Sequence, residues 1–273
     1  MPTARSTDAM NASSSATRPG GLAALANPTR FAALARPLGR VLAVAATIAF
    51  AIGLALAFAV PDDYQQGRTV RIMFVHVPAV WMAMGAYVVM VSGALGVLVW
   101  RHPLADVAAR AAAPLGAAFT FLGLVTGSVW GRPMWGAWWV WDARLTSFLV
   151  LLLIYGGLIA LWRAIEEPAT GARVGAVVVL LGAVNLPIIK FSVDWWNTLH
   201  QPASVLRAGG PAMPAVYLQP LLVMALAFLL LFAALHLKNM RNILLERRIR
   251  RLEQRRAHLP RTVVATLSDE VRP

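Results

Sequence analysis

The sequence predicts an all-α integral membrane protein of six transmembrane helices with both termini in the cytoplasm. The first observation is composition, because 59% of the 273 residues are hydrophobic and only 14% are charged, whereas soluble domains carry about 25% charged residues. The second is a set of long apolar runs, since roughly 20 such residues span the hydrocarbon core of a membrane as a helix. The third is the one-sided placement of lysine and arginine, which sets the orientation.

Six apolar runs follow one another along the chain and define the predicted helices. They cover residues 41–60, 77–99, 111–129, 145–162, 174–189 and 215–236. Backbone amides within lipid must form their hydrogen bonds inside the segment, so each run is predicted to be helical. The central parts of the runs contain no aspartate, glutamate, lysine or arginine, which argues against an ion- or proton-coupled transporter.

Lysine and arginine residues are concentrated at the chain ends and in alternate loops. With the N-terminus inside, nineteen of them fall on the inner side and six on the outer side. The positive-inside rule therefore predicts cytoplasmic termini and outer loops at residues 61–76, 130–144 and 190–214. This distribution accounts for the net charge of +13, so we predict no nucleic-acid partner.

Three regions divide the chain. Residues 1–40 are predicted to be a disordered, basic cytoplasmic extension, and residues 41–237 the transmembrane domain. Residues 238–273 are predicted to be a basic cytoplasmic tail whose first part has apolar residues at roughly helical spacing. Its basic residues suit contact with anionic lipid, and the tail is either a topology anchor or a docking helix for a partner.

A tryptophan-rich segment occupies the second outer loop, residues 130–144. It holds half of the ten tryptophans of the chain: Trp130, Trp135, Trp138, Trp139 and Trp141. An interfacial belt would place one or two rings at helix ends on both faces, so this density favours a ligand platform. Pro133 predicts an irregular first part, whereas the spacing of Trp135, Trp138 and Trp141 predicts a short helix with these rings along one side. Such a row suits a flat, apolar, aromatic ligand.

Three charged residues accompany these tryptophans. Arg132 and Arg144 are candidates for pairing with carboxylates of a ligand, and the alternative is contact with lipid headgroups. Asp142 is predicted to cap the next helix, which is expected to start near Leu145, or to orient Arg144.

Two of the five histidines, His76 and His200, fall on the outer face with tryptophans a few residues away. Imidazole is a common axial ligand of haem iron, and two imidazoles from separate loops would suit the two faces of a porphyrin. The remaining histidines (His102, His236 and His258) lie on the predicted inner side and are expected to be interfacial. The chain has no cysteine, so a haem would be held reversibly and not through a C-x-x-C-H attachment.

The segment WGRPMWGAWWVWDARLTS at residues 130–147, six helices and two outer histidines together resemble the CcmC family of haem-handling membrane proteins from bacterial cytochrome c maturation. The resemblance runs from about residue 26 through the last helix. It implies haem b bound reversibly at the periplasmic face of the inner membrane. It also implies that His76 and His200 are the axial ligands, while the tryptophans support the macrocycle.

The resemblance further implies a role as a haem-binding and transfer protein that is not itself an enzyme. Haem would pass to the periplasmic chaperone CcmE, and further partners would be CcmD and the ATP-binding-cassette pair CcmA and CcmB. No G-x-x-x-x-G-K-[ST] motif occurs in this chain, so any ATP hydrolysis is predicted to belong to a partner. The alternatives are a haem transporter or channel subunit, or a quinol-linked haem reductase, of the same assembly.

Overall fold

A computed structural model describes residues 27–196, 198–200, 204–205 and 209–257. In these residues the helices are α1 Pro28–Ala59, α2 Met73–Leu98, α3 Ala105–Trp135, α4 Ala143–Ala164, α5 Pro168–Gly182, α6 Asn185–Trp195 and α7 Ala215–Ala257, and a 3₁₀ turn at Arg68–Ile72 precedes α2. Helices α5 and α6 follow each other across a short turn and form one span, which gives 6 segments long and apolar enough to cross a membrane. The predicted all-α transmembrane fold is therefore confirmed.

The start of α1 is set by a cap and lies well before the predicted apolar run. The Asn27 side-chain oxygen accepts a hydrogen bond from the Thr29 backbone N–H at 2.9 Å, and Pro28 at the first helical position has no N–H to satisfy. The predicted disordered extension over residues 1–40 is therefore wrong for residues 28–40, while residues 1–26 lie outside the described residues. The charged side chains there interrupt the apolar run without interrupting the helix.

Helix α7 is far longer than a membrane span. Its 43 residues correspond to about 65 Å of helix, against a hydrocarbon core of about 30 Å. The helical spacing noted after Lys238 is thus part of α7 as far as Ala257. Buried Asp106 of α3 holds this projecting part, because its carboxylate pairs with Arg247 of α7 and accepts a 2.8 Å hydrogen bond from Arg110.

Two fully buried tyrosines join the helices in the middle of the bundle. The Tyr155 hydroxyl of α4 donates to the Ala83 carbonyl of α2 at 2.7 Å, and the Tyr87 hydroxyl of α2 donates to the Val179 carbonyl of α5 at 3.0 Å. The two rings meet edge to face with centroids 5.4 Å apart. These bonds satisfy hydroxyls that have no access to water within the bundle.

Gly116 of α3 gives Tyr155 its space. A Cβ at this position would lie 2.1 Å from the tyrosine Cζ atom, so we expect Gly116→Ala to destabilise the protein by about 1–3 kcal/mol. The measurement is the midpoint of thermal unfolding in detergent. Gly157→Ala is the matched control, because nothing lies within 4 Å of a Cβ there. Equal unfolding midpoints for the two variants would contradict the packing described for Tyr155.

The end of α3 differs from the prediction for the tryptophan-rich segment. Helix α3 continues through Pro133 and ends at Trp135, and Gly136 follows with a positive φ of 75°. Pro133 lies in the last turn, so the helix loses one backbone hydrogen bond there and is not broken. Residues 137–142 are not helical. The predicted short helix carrying Trp135, Trp138 and Trp141 along one side is therefore wrong.

The bundle has two distinct ends. The histidine end, named for His76 and His200, is formed by the start of α2, the end of α3, the start of α4 and the segment after α6. The termini end carries Pro28 of α1 and Ala257 of α7. Large apolar side chains are exposed between these ends, on α1 for example, as expected for a surface in contact with lipid.

Candidate functional site

Both predicted histidines contact helix α3, although they lie far apart in the sequence. His76 lies in the first turn of α2 and contacts Thr126 in α3. His200 follows α6 and its ring lies against Trp135, the last residue of α3, with centroids 4.8 Å apart. The end of α3 therefore gathers both imidazoles at the histidine end.

The hydrogen bond of His76 defines which of its nitrogens is free. Its Nδ1 atom lies 3.1 Å from the Thr126 hydroxyl oxygen, and that hydroxyl donates its one hydrogen to the Leu122 carbonyl at 2.7 Å. With its hydrogen on a backbone carbonyl, Thr126 accepts from His76, and we infer that a neutral imidazole carries its hydrogen on Nδ1. Its Nε2 lone pair remains available to a ligand.

The surroundings of His76 restrict its ring further. Trp130 packs edge to face against the imidazole with centroids 5.6 Å apart, and the Trp130 indole N–H donates to the Gln66 side-chain oxygen at 3.2 Å. A Cβ on Gly127 would lie 3.0 Å from the His76 ring, so the glycine permits this close approach. The imidazole is thereby fixed by α3 and by the loop before α2.

The Nδ1 atom of His200 lies beside a carboxylate, whereas the Nδ1 atom of His76 lies beside a hydroxyl. Its Nδ1 atom lies 2.9 Å from Asp142 Oδ2, and both side chains are mostly buried, with 18% and 8% of their surfaces exposed. Burial lowers the pKa of His200 below its ordinary value, an effect that the hydrogen bond and charge of Asp142 only partly oppose. The neutral imidazole donates Nδ1–H to Asp142, which again leaves Nε2 with a lone pair.

The two carboxylate oxygens of Asp142 form hydrogen bonds with two different parts of the structure. Oδ1 accepts a 2.8 Å hydrogen bond from the Leu145 backbone N–H and so caps α4, which confirms the predicted cap. Oδ2 binds His200. Among the described residues the Arg144 guanidinium donates instead to the buried Ser192 hydroxyl at 3.2 Å. The carboxylate thus connects the first turn of α4 with the histidine.

The tryptophans divide into supporting and exposed rings. Trp130 and Trp135 contact the histidines, as described above. Trp139 is partly buried, its indole N–H has no partner among the described residues, and its ring meets Trp141 edge to face at 5.4 Å. Trp138 and Trp141 are 60% and 76% exposed. The segment 137–142 therefore presents two large aromatic surfaces outward, whereas the buried Trp139 N–H has no acceptor among the described residues.

The two predicted arginines have different settings. Arg132 is exposed in the last turn of α3, and its guanidinium donates to the Gly136 carbonyl at the helix end. Arg144 is half-buried in the first turn of α4 on Ser192. Both retain N–H donors beyond these bonds, because a guanidinium has five.

Sequence reasoning missed the partners of the histidines. Thr126 and Gly127 sit within an apolar run, and Gln66 lies in a different outer loop from Trp130. A hydroxyl in an otherwise apolar span was the available signal, since polar side chains in membrane helices commonly have a specific partner. The chemical result is a pair of imidazoles whose Nε2 atoms have no hydrogen-bond partner among the described residues, at the end of the bundle that carries exposed indole rings. This arrangement is able to hold a flat apolar ligand that carries a metal ion.

Comparisons with known proteins match most of the chain to one protein family. Residues 21–255 match the model of the CcmC family, described as heme exporter protein C. The chain is 63% identical to heme exporter protein C of Bradyrhizobium diazoefficiens over 233 residues, covering 85% of this chain and 89% of that protein.

Two further relatives bear the same name. Heme exporter protein C of Escherichia coli K12 is 50% identical over 206 residues, covering 75% of this chain and 82% of the relative. The protein of that name from Paracoccus denitrificans is 43% identical over 225 residues, covering 82% and 93%. Because the family match and these relatives each extend over most of the sequence, the chain belongs to the CcmC family of multi-pass membrane proteins.

Proposed function

We propose that this protein binds haem b reversibly at the histidine end and passes it to the chaperone CcmE during cytochrome c maturation. The observation that carries the proposal is the shared setting of His76 and His200: Nδ1 of each ring lies within hydrogen-bonding distance of a neighbouring oxygen, and we infer that Nε2 of each ring would bind the iron. Fixing the tautomer through the other ring nitrogen is how metal-binding histidines are commonly oriented. The name heme exporter protein C of the relatives supports haem as the cargo.

The surrounding side chains suit the rest of a haem molecule. The exposed rings of Trp138 and Trp141 offer apolar surface for the macrocycle, and Trp130, Trp135 and Trp139 support the site behind them. Arg132 and Arg144 are the candidates for the two propionates, because guanidinium groups pair well with carboxylates. The absence of cysteine from the sequence supports binding that can be reversed.

The direction of transfer follows from the orientation of the chain. The excess of arginine and lysine on the termini side supports a cytoplasmic termini end and a periplasmic histidine end in the bacterial inner membrane. Handover to CcmE would then take place at the periplasmic surface, with CcmD and the pair CcmA and CcmB completing the assembly. The interior at Tyr87 and Tyr155 is fully packed, which favours handling of haem at the surface over its passage through this chain.

The test of this function is haem loading followed by transfer. The purified full-length protein is expected to bind added haem with a Soret absorption band, and to lose that band when purified CcmE is added. Trp138→Ala combined with Trp141→Ala is expected to weaken haem binding on the order of tenfold, because two exposed aromatic surfaces are removed. Trp100→Ala is the matched control, since Trp100 is 72% exposed at the termini end.

Two results would contradict the proposal. One is a wild-type protein that takes up no haem. The other is equal binding by the double tryptophan variant and the Trp100→Ala control, which would reassign Trp138 and Trp141 to contact with lipid or protein.

The pH dependence of haem binding tests the protonation of His200. Burial holds its pKa below the ordinary value of 6.5, so more than half of the imidazole is neutral at that pH. Haem affinity is therefore expected to fall as the solution becomes acidic, when protonation occupies Nε2, with a midpoint below pH 6.5. The measurement is a series of haem titrations at different pH values. A midpoint above pH 6.5 would contradict a buried, neutral His200.

A further inference from the structure

A groove lies at the termini end, between the first turns of α1 and the projecting part of α7. Its volume is about 360 Å³, and its lining includes Arg36, Arg241, Leu244, Leu245, Arg248 and Arg251. Haem binding at the histidine end makes no use of it. We propose that this groove binds the phosphate headgroup of an anionic phospholipid from the adjoining leaflet.

The charge of the groove is uncompensated within the described part of the chain. Four arginines line it and no aspartate or glutamate does. None of these four has a carboxylate within 4.0 Å among the described residues, unlike Arg247 on the neighbouring face of α7, which pairs with Asp106. Arginines gathered in this way repel one another, and a bound anion would remove that repulsion.

The level of the groove matches the headgroup layer. Arg40 and Lys238 are the charged residues at which the apolar runs of α1 and α7 end. Arg36 lies one turn beyond Arg40, about 6 Å along the helix, and Arg241 lies about 4.5 Å beyond Lys238. Each headgroup region is roughly 5–8 Å thick. Both arginines therefore reach the depth at which lipid phosphates lie.

The position of the groove favours a lipid over a free anion. Arg36 and Arg241 form the side of the groove nearest the bilayer, so they face the phosphates of lipids that the membrane already holds there. Inorganic phosphate would have to reach them from solution. Basic pockets between the ends of membrane helices are suited to anionic headgroups.

The test is native mass spectrometry of the full-length protein in a detergent without phosphate. The probes are dioleoylphosphatidylglycerol, dioleoylphosphatidylcholine and inorganic phosphate. We expect phosphatidylglycerol to be retained in preference to phosphatidylcholine. Arg36→Gln combined with Arg241→Gln is expected to lower phosphatidylglycerol binding on the order of tenfold.

The matched control is Arg250→Gln combined with Arg255→Gln, which removes the same charge from exposed positions of α7 outside the groove. The control is expected to bind phosphatidylglycerol as the wild type does. The single variants Arg36→Gln and Arg251→Gln, checked by gel filtration, keep the test valid if the double variant does not fold.

Three outcomes would overturn the lipid assignment. Equal loss of phosphatidylglycerol binding in the groove and control variants would show that the loss follows from the lower positive charge of the protein and not from the groove. Displacement of phosphatidylglycerol by modest inorganic phosphate, with no preference over phosphatidylcholine, would indicate a free-phosphate site. Unchanged lipid binding together with loss of association with the ATP-binding-cassette pair in the groove variant would make the groove a protein-docking surface.

Discussion

Joint replacement of His76 and His200 by alanine is expected to leave the purified protein almost free of haem. In the proposed site each histidine would supply one Nε2 atom to the iron, and Nδ1 of each ring lies within hydrogen-bonding distance of a neighbouring side-chain oxygen that orients it. Loss of a partner that only orients a metal-binding histidine commonly costs 10–100-fold in affinity, so loss of the ligand itself is expected to cost at least about 100-fold per site. The measurement is a haem titration followed by the Soret band.

The control for this experiment is His102→Ala. His102 is exposed at the termini end, between α2 and α3, and its replacement is expected to leave haem binding unchanged. The single variants His76→Ala and His200→Ala should each shift the absorption spectrum as well as weaken binding, because the axial ligand set changes. Wild-type affinity in either single variant would remove that histidine from the iron site.

Replacement of Asp142 by asparagine is expected to weaken haem binding by about 10–100-fold while the protein remains folded. Asparagine is as good a helix cap as aspartate, so its oxygen can continue to accept from the Leu145 N–H. The amide group would then face His200 and donate to Nδ1. That reversal moves the imidazole hydrogen to Nε2, the atom proposed to bind iron.

The design of the asparagine experiment separates the two roles of Asp142. Asp142→Ala removes both the cap and the partner of His200, so it is expected to lower thermal stability by about 1 kcal/mol in addition to haem affinity. Asp62→Asn is the matched control, because Asp62 pairs with Arg71 at the same end of the bundle without contacting either histidine. Unchanged haem affinity in Asp142→Asn would show that the carboxylate serves α4 alone.

The sequence was sufficient for the helical spans and insufficient for their limits. Long apolar runs identify a transmembrane helix because the bilayer admits few other structures. The start of α1 depends instead on Asn27 and Pro28. The part of α7 beyond its apolar run is held by the pairing of Arg247 with Asp106. Hydropathy reports neither feature. The prediction of an irregular segment at Pro133 was wrong for a related reason, because the effect of a proline on a helix depends on its distance from the helix end.

The site was predictable in its residue types and not in its pairings. His76, His200 and Asp142 stand out as polar residues among tryptophans on one predicted face. Their partners lie far away in the sequence: His200 and Asp142 are 58 residues apart, and His76 and Thr126 are 50 apart. Such pairs depend on how α2, α3 and α4 pack together, so a single sequence does not reveal them.

Helix α3 sets the distance between the two positions that contact the imidazoles. Thr126, which holds His76, and Trp135, which packs on His200, lie on this one continuous helix, about 13 Å apart along its axis. One inserted residue between them would rotate everything that follows by about 100° and shift it by about 1.5 Å. Trp135 would then turn away from His200. The spacing of these two positions is therefore fixed by geometry, whereas added residues in the non-helical segment 137–141 would leave both of these contacts in register.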